Sequence, residues 1–568
     1  MKNLLIFLIS LVFVISSQAQ QKSITLLPEE LVNRKEIYVD IQLDQNQDIK
    51  EQLELLNKTI SIDSYDNERY TTKAYISVNK YNSFLKLGYD FQILTPPSLL
   101  LPKEQLDNNG QKNIDDWDYY PSYSEYIDLM YQFAEDYPDL CEVVNIGETN
   151  ENHDILFIHI SNNLGEDLDE PEFMYTSSMH GDEITGYVLM LRYIDYLLSN
   201  YATNSRIAML VDEIDIWINP LANPDGTFAG GDNSVSGATR YNANGVDLNR
   251  NYADPEDGAH PDSYPYQTET LLFMNFANEH DFVMSANFHG GAEVINYPWD
   301  TWSRLAADND WWYFISREYA DTAQEYSAAG YLTDYDNGIT NGYAWYSISG
   351  GRQDYMNYFE HCREVTMEIS NTKMPPGSQM PLFWEYNYRS LLNYMEQVLY
   401  GVRGVVTNLF NGNLIKAKVF IDSHDLDESF VFSSVPAGNY HRLLKQGTYD
   451  FTFSTPGYYN KTITNVNVSD YQTTILNIEL EPNVGSIETN NYKISIFPNP
   501  AQNYVSIILP ETDEYLVKIF DNIGRHIYTE TTSGSSFNIP LTDIISGNYI
   551  ISVMNNKGDI FTSKLVVE

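Results

Sequence analysis

The stretch Phe173-Met-Tyr-Thr-Ser-Ser-Met-His180-Gly-Asp-Glu183-Ile184 decides how the chain is read. An apolar run rich in Met and Tyr predicts a buried strand ending in a tight turn. The turn presents His180 and Glu183 three positions apart, and Ile184, Tyr187, Val188, Leu191, Ile194 and Leu198 then recur on one face of a helix. An imidazole and a carboxylate therefore stand where a strand hands over to a helix. Open α/β sheets bind ligands beyond the carboxyl ends of their strands. Catalytic zinc takes three N or O protein ligands and keeps one position for water. A His-x-x-Glu pair is also common in plain loops, so the other groups must come from elsewhere in the chain.

A third ligand is offered by His289, which follows the apolar run Phe282-Val-Met-Ser-Ala-Asn-Phe288 and precedes Gly290 and Gly291. The bland alternative is a loop histidine with no ligand role. In Glu364-Val-Thr-Met-Glu-Ile369, Val365, Met367 and Ile369 share one face of a strand, and Glu364, Thr366 and Glu368 share the other. Those carboxylates are either solvated or, at a zinc site, include the base that takes a proton from water. Arg240 and the segment Asp247-Leu-Asn249-Arg250-Asn251 follow Asn223-Pro-Asp-Gly226. A guanidinium beside an amide suits fork-like capture of a carboxylate, although an arginine on an acidic surface finds acidic partners anyway.

The chain carries 79 Asp and Glu against 33 Lys and Arg, a formal charge of −46 over 568 residues. Such a surface repels nucleic acid and anionic membrane. Lys2, the apolar core Leu4 to Ile15 and Ser17-Gln18-Ala19 predict a signal peptide over residues 1–19. Its core is shorter than the roughly 20 residues a bilayer span needs, and no later stretch of that length lacks charges, so a secreted protein with no stable membrane span is expected. Two cysteines, Cys141 and Cys362, exclude a disulfide scaffold.

Texture divides the chain. Residues 20–116 alternate short strands and helices as a small α/β segment. Residues 117–400 alternate longer strands and helices, which predicts a mixed, mostly parallel sheet with helices on both faces. From Gly401 the pattern becomes short β runs, with Tyr449, Phe451 and Phe453 alternating. An all-β sandwich is expected over 401–483 and a second over 492–568, with a polar linker between them.

In order, His180-x-x-Glu183, Asn223-Pro-Asp-Gly226, Gly245-Val-Asp-Leu-Asn249-Arg250-Asn251, Asn287-Phe-His289, Trp345-Tyr346 through Gln353-Asp354-Tyr355, and Glu364-Val-Thr-Met-Glu368 resemble the zinc metallocarboxypeptidases, most nearly the subfamily of carboxypeptidases N, E, D and M. The resemblance spans about residues 117–480. It implies one Zn2+ held by His180, Glu183 and His289, with Glu368 as general acid/base. It implies Arg240 polarising the scissile carbonyl, Asn249 and Arg250 gripping the terminal carboxylate, and Tyr346 closing over the substrate. Asp300 and Gln353 match positions lining the pocket for the C-terminal side chain, which implies a preference for Lys or Arg. The substrates implied are peptide or protein C-termini. The alternatives are a peptidase that trims cell-wall peptides and a non-catalytic peptide-binding member of the fold.

Residues 20–116 resemble the activation segments of such enzymes. Residues 401–483 resemble the transthyretin-like domain that follows the catalytic domain in that subfamily. The tail, with Phe497-Pro-Asn-Pro500 and Gly547-Asn-Tyr549, is similar to C-terminal sorting domains of type IX secretion. It implies handling by that machinery, passage through the periplasm and outer membrane, and a secreted or cell-surface location.

Overall fold

A computed structural model describes residues 28–107, 116–165, 168–435, 437–483, 494–521, 525–542, 544–555 and 560–567. The expected signal peptide and the polar linker after 483 lie outside the described residues. Among those residues, no helix is long and apolar enough to cross a membrane.

The site is built on an eight-stranded sheet. Its order is Ile339–Asn341, Ala292–Tyr297, Arg363–Ser370, Phe282–His289, Glu172–Ser177, Asp215–Asn219, Asp154–Ile160 and Cys141–Glu148. Strands Arg363–Ser370, Phe282–His289, Glu172–Ser177 and Asp215–Asn219 run parallel to their neighbours among these four, while Asp154–Ile160 and Cys141–Glu148 are antiparallel additions at one edge. The expected mixed sheet is present. The short strands Ala292–Tyr297 and Ile339–Asn341 extend it beyond the pattern read from sequence, where Gly, Pro and Trp residues mask their alternation.

Helices cover both faces. Thr185–Asn200 is buried almost all round, including Leu189, Met190 and Leu197 outside the expected apolar stripe. The outer side of that helix is covered by helix Met380–Glu396, so packing widens one apolar face into a fully enclosed core element. Strand Arg363–Ser370 is likewise buried at every position. Its Glu364, readable as a solvated carboxylate, instead pairs with Arg352 at 3.0 Å.

Residues 28–107 carry an antiparallel sheet in the order Ser61–Asp66, Thr71–Ser77, Glu36–Gln42 and Phe91–Leu94. Leu31, Val39, Ile41, Leu56, Ile76 and Phe84 form its core. After Gly401, two four-stranded sheets enclose Val402, Val419, Phe451, Phe453 and Leu480. From Ser495 onward, five strands join in one connected sheet whose core includes Ile494, Ala501, Val505, Val517, Ile551 and Val567.

The β unit after Gly401 is tied to the α/β domain by buried charges. Asp308 accepts from Arg363 Nη2 at 2.9 Å, Arg442 Nη1 at 2.9 Å and His424 Nε2 at 2.8 Å. Arg442, wholly buried, also reaches Asp425. Burial alone would raise the Asp308 carboxyl, but Arg442 and Arg363 outweigh it and hold it well below the usual carboxylate range. A carboxyl whose folded-state value lies below its unfolded value of about 3.9 stabilises the fold fully above that value and loses the contribution as pH falls below it. Thermal unfolding midpoints should therefore drop below about pH 4, and the drop should be shallower in Asp308→Asn. Arg442→Met, which leaves two carboxylates buried with fewer partners, should cost about 3 kcal/mol. An unchanged midpoint for Arg442→Met would show that the tie carries no stability.

Candidate metal centre and substrate cleft

Strand Glu172–Ser177 ends at Ser178, whose φ of +59° turns the chain sharply. The turn then packs against another loop: a Cβ on Gly181 would lie 2.3 Å from the carbonyl carbon of Gly226. Asn223 explains its place in the sequence here. Its Nδ2 donates to Met179 O at 3.1 Å, and its Oδ1 accepts from Gly226 N at 2.9 Å. Glycine and asparagine thus brace the turn that aims His180 and Glu183.

The three expected ligands meet. Glu183 Oε2 lies 3.0 Å from His180 Nδ1 and 2.7 Å from His289 Nδ1, and the two Nδ1 atoms are 3.1 Å apart. All three residues are buried. His180 Nε2 faces Asp247 Oδ1 at 3.0 Å, and His289 Nε2 faces the Asn287 side chain at 2.8 Å. The other oxygen of Glu183 is met by Arg240 Nη1 at 3.0 Å and by the Lys373 ammonium. Burial alone would raise Glu183, but His180 and Lys373 outweigh it and hold the carboxyl well below its ordinary range. Burial pushes the His289 imidazole down to about 4, so the ring is neutral. Two imidazole nitrogens and one carboxylate oxygen, each with its far side held, make a donor set suited to zinc with a position left for water. Among the described residues, this is the group whose ligand atoms all lie within 4.8 Å of one another.

Glu368 stands opposite His289 in the parallel register of its strand with Phe282–His289. Its Oε2 is buried and has no hydrogen-bond partner. Burial first, and then the charge of Glu183, push this carboxyl well above its ordinary range. A base with raised affinity for protons beside a metal donor set can accept a proton and pass it on.

A cavity of about 40 Å³ is lined by His180, Glu183, Arg240, Asn249, Arg250, His289, Asp300, Tyr346 and Glu368, together with Asn296, Lys373 and Asp63. Asn249 Oδ1 is fixed by Arg352 N at 2.9 Å. Arg240 is held by two carboxylates, its Nε on Asp247 at 3.1 Å and its Nη1 on Glu183. Asp300 Oδ1 accepts from Asn296 Nδ2 at 3.0 Å and Gln353 Nε2 at 3.1 Å. A Cβ on Gly342 would sit 1.7 Å from that oxygen, so only glycine lets the carboxylate occupy its place. Burial raises Asp300 to about 6. It also raises the Tyr346 hydroxyl to about 12.

Gln353 corrects one expectation. It does not line the cavity but stands behind it, with its Oε1 accepting from Thr366 N at 2.7 Å and its Nε2 orienting Asp300. The first turn of helix Arg352–Tyr358 is drawn against strand Arg363–Ser370, and the Gln353 side chain is buried there behind Asp300. Sequence reading also missed Asp247 and Lys373. Asp247 sits two residues before Asn249, where an acidic partner for His180 could have been sought. Lys373 lies five residues past Glu368, in a polar loop that gives no sign of its burial.

The unit at residues 28–107 roofs the cleft. Asp63 Oδ1 meets Lys373 Nζ at 3.0 Å, Asn57 Oδ1 accepts from Arg250 Nη2 at 3.3 Å, and Ser61 donates to Asp247. Glu36 Oε2 accepts from Arg240 N at 3.0 Å, and the Tyr75 hydroxyl donates to Asp182.

Comparison with known proteins agrees with this arrangement. Residues 126–390 match the family described as zinc carboxypeptidase, and residues 401–481 a carboxypeptidase regulatory-like domain. Residues 495–568 match a secretion system C-terminal sorting domain, which directs export to the cell surface or beyond. The chain is 36% identical to mouse carboxypeptidase D over 357 residues, covering 60% of this chain and 25% of that protein. It therefore spans about a quarter of the length of those first relatives. It is 32% identical to the human carboxypeptidase N catalytic chain over 406 residues, covering 64% of this chain and 86% of that one. The fold is similar to the crystal structure of carboxypeptidase A from Helicoverpa armigera, with a TM-score of 0.50, 19% identity, and coverage of 64% of this chain and 97% of that one. Because the human carboxypeptidase N catalytic chain is matched at 32% identity over 86% of its length, the chain belongs to the zinc carboxypeptidase family.

Proposed function

We propose that this chain is a secreted zinc metallocarboxypeptidase that hydrolyses the last peptide bond of peptides and proteins and prefers C-terminal Lys or Arg. The observation carrying this reading is the convergence of His180, Glu183 and His289 opposite Glu368, with the expected substrate clamp along the same cavity. His180, Glu183 and His289 would hold a zinc ion, which would supply a water of lowered pKa and a Lewis acid for the carbonyl. Glu368, with its unpartnered Oε2, would accept a proton from the attacking water and return it to the leaving amine. Arg240, oriented by Asp247 and Glu183, donates to the carbonyl oxygen as negative charge grows there.

Asn249 and Arg250 grip the terminal carboxylate. Internal peptide bonds lack that group and would leave the clamp unpaired, so the enzyme works from chain ends. Asp300, held by Asn296 and Gln353, pairs with the cationic side chain of the departing residue, and Tyr346 closes over it. Type IX secretion machinery handles the tail that matches a sorting domain.

Glu368→Gln keeps shape and removes the base. It should lower kcat/KM for a peptide ending in Arg by about 10²- to 10⁴-fold while leaving zinc content and thermal midpoint unchanged. Residual activity within tenfold of the parent would reject Glu368 as the base.

Side-chain preference should follow Asp300. Its carboxyl, raised to about 6 by burial, is an anion above that pH and neutral below it. The ratio of Arg to Phe release from matched peptides should therefore climb between pH 5 and pH 7 and level off above. In Asp300→Ala the ratio should fall by about 30-fold, equal to about 2 kcal/mol for a truncated buried charge pair, and lose its pH dependence. A ratio that ignores both would remove Asp300 from the pocket.

The roof accounts for a closed form. A space of about 40 Å³ holds about three waters, too little for an amino-acid residue. Activity on an Arg-ended peptide should rise about tenfold or more once residues before Tyr119 are removed, because the competent fraction then increases. Equal activity before and after removal would show that the unit is a neutral accessory.

A further inference from the structure

Arg352 is 1% exposed and reaches neither the cavity nor any residue expected at the site with its side chain, yet it is among the largest buried side chains of the described residues. Its guanidinium lies in the strand layer beneath the metal centre. Nη2 pairs with Glu364 Oε2 at 3.0 Å, and that oxygen also accepts from Ser285 Oγ at 2.7 Å. Nη1 donates to Thr176 Oγ1 at 2.6 Å. Thr176 Oγ1 in turn donates to Asn287 Oδ1 at 3.0 Å, and the Asn287 amide meets His289 Nε2 at 2.8 Å. Four side chains, Arg352, Thr176, Asn287 and His289, thus form one hydrogen-bonded line from a buried ion pair to a metal donor. Thr176, Asn287 and Glu364 are all at most 1% exposed, so water cannot replace any link.

A guanidinium donates only and keeps its charge throughout the working pH range. The Arg352 end of the line is therefore fixed, and order passes outward from it. His289 has to offer Nδ1 toward Glu183 and His180, so its Nε2 needs a partner of fixed position. Asn287 fills that role with the oxygen end of its amide, because a donor at Nε2 would leave the ring proton on Nδ1. Its Oδ1 can accept from a protonated Nε2 while its Nδ2 turns to Thr176 Oγ1, which has a second acceptor site. The main-chain N–H of Arg352 also holds Asn249 Oδ1 at 2.9 Å. One residue therefore braces a metal donor through its side chain and the substrate clamp through its backbone.

Building on the zinc reading above, we propose that Arg352 is a positioning residue for the metal centre, acting on His289 through Thr176 and Asn287, with Glu364 as its fixed counter-charge. Neither Arg352 nor Glu364 touches substrate or metal in this role.

The test is zinc affinity, measured on the full chain by competition with a chromophoric chelator, alongside the thermal midpoint of the zinc-free protein. Arg352→Lys keeps the charge on Glu364 but cannot serve two partners at once. It should weaken zinc binding about tenfold, and Asn287→Leu about 10- to 100-fold, with zinc-free midpoints near the parent value. Asn287→Asp, which accepts from Nε2–H, should bind zinc at least as tightly as the parent. If Arg352→Lys does not accumulate as folded protein, Arg352→Met with Glu364→Gln removes both charges together and carries the same expectation. Parent-like zinc affinity in Asn287→Leu, or in the Arg352 variant that folds, overturns the proposal and leaves only a structural ion pair. A parent chain that binds no zinc would instead defeat the carboxypeptidase reading itself.

Discussion

Glu183 meets charge or a polarised nitrogen on both of its oxygens while almost fully withdrawn from solvent, with two imidazoles on one side and Arg240 and Lys373 on the other. Burying a carboxylate costs several kcal/mol unless its partners restore what water supplied. Here the partners come from four separate segments. His180 comes from the turn after strand Glu172–Ser177, His289 from the end of strand Phe282–His289, Arg240 from the loop between Thr227 and Leu248, and Lys373 from beyond strand Arg363–Ser370. The carboxylate therefore acts as a knot that requires those segments to be folded together. Lys373 adds a second tie, because its backbone carbonyl accepts from Ile184 N at 3.2 Å at the start of helix Thr185–Asn200.

The sequence made the scaffold of this knot visible and hid its lining. Strand ends carrying His180 and His289 announce themselves, because an apolar run that stops at a histidine is a local signal. Glu368 could be placed on a strand but not distinguished in burial from Glu364, since both alternate to the same face. Only the packing shows that one faces a cavity and the other faces Arg352. Gln353 read as a lining residue because it matches a pocket position of the family it resembles, and whether a side chain reaches a cleft depends on how the first turn of its helix lies on the sheet. Lys373, Asp63 and Asp247 were illegible for a similar reason. Their importance lies in distant partners, 186 residues apart for Ser61 and Asp247 and 310 for Lys373 and Asp63.

Two appended units touch the α/β domain in chemically different ways. The unit at residues 28–107 approaches the cleft with Glu36, Asp63 and other polar groups that meet Arg240 and Lys373. The β unit after Gly401 is fixed from behind through Asp308, Arg363 and Arg442, all buried. Arg240 and Lys373 keep Glu183 as a partner if the unit at residues 28–107 is withdrawn, and can then meet another charged molecule, whereas parting Arg442 from Asp308 separates charges buried on both sides. The two attachments are thus suited to different lifetimes, although the protein carries a large excess of negative charge overall.

The parallel pairing of Glu368 with His289 sets one more relation. The spacing between the acidic side chain and the donor cluster is given by the main-chain ladder of two central strands, and not by any loop. Loops around the cleft can lengthen, shorten or change their chemistry while that spacing stays constant, like the jaws of a gauge cut from one block. Diversification of what the cleft accepts would then be free to proceed at its rim, while a shift of a single residue in that one ladder would put the acidic group on the opposite side of the sheet.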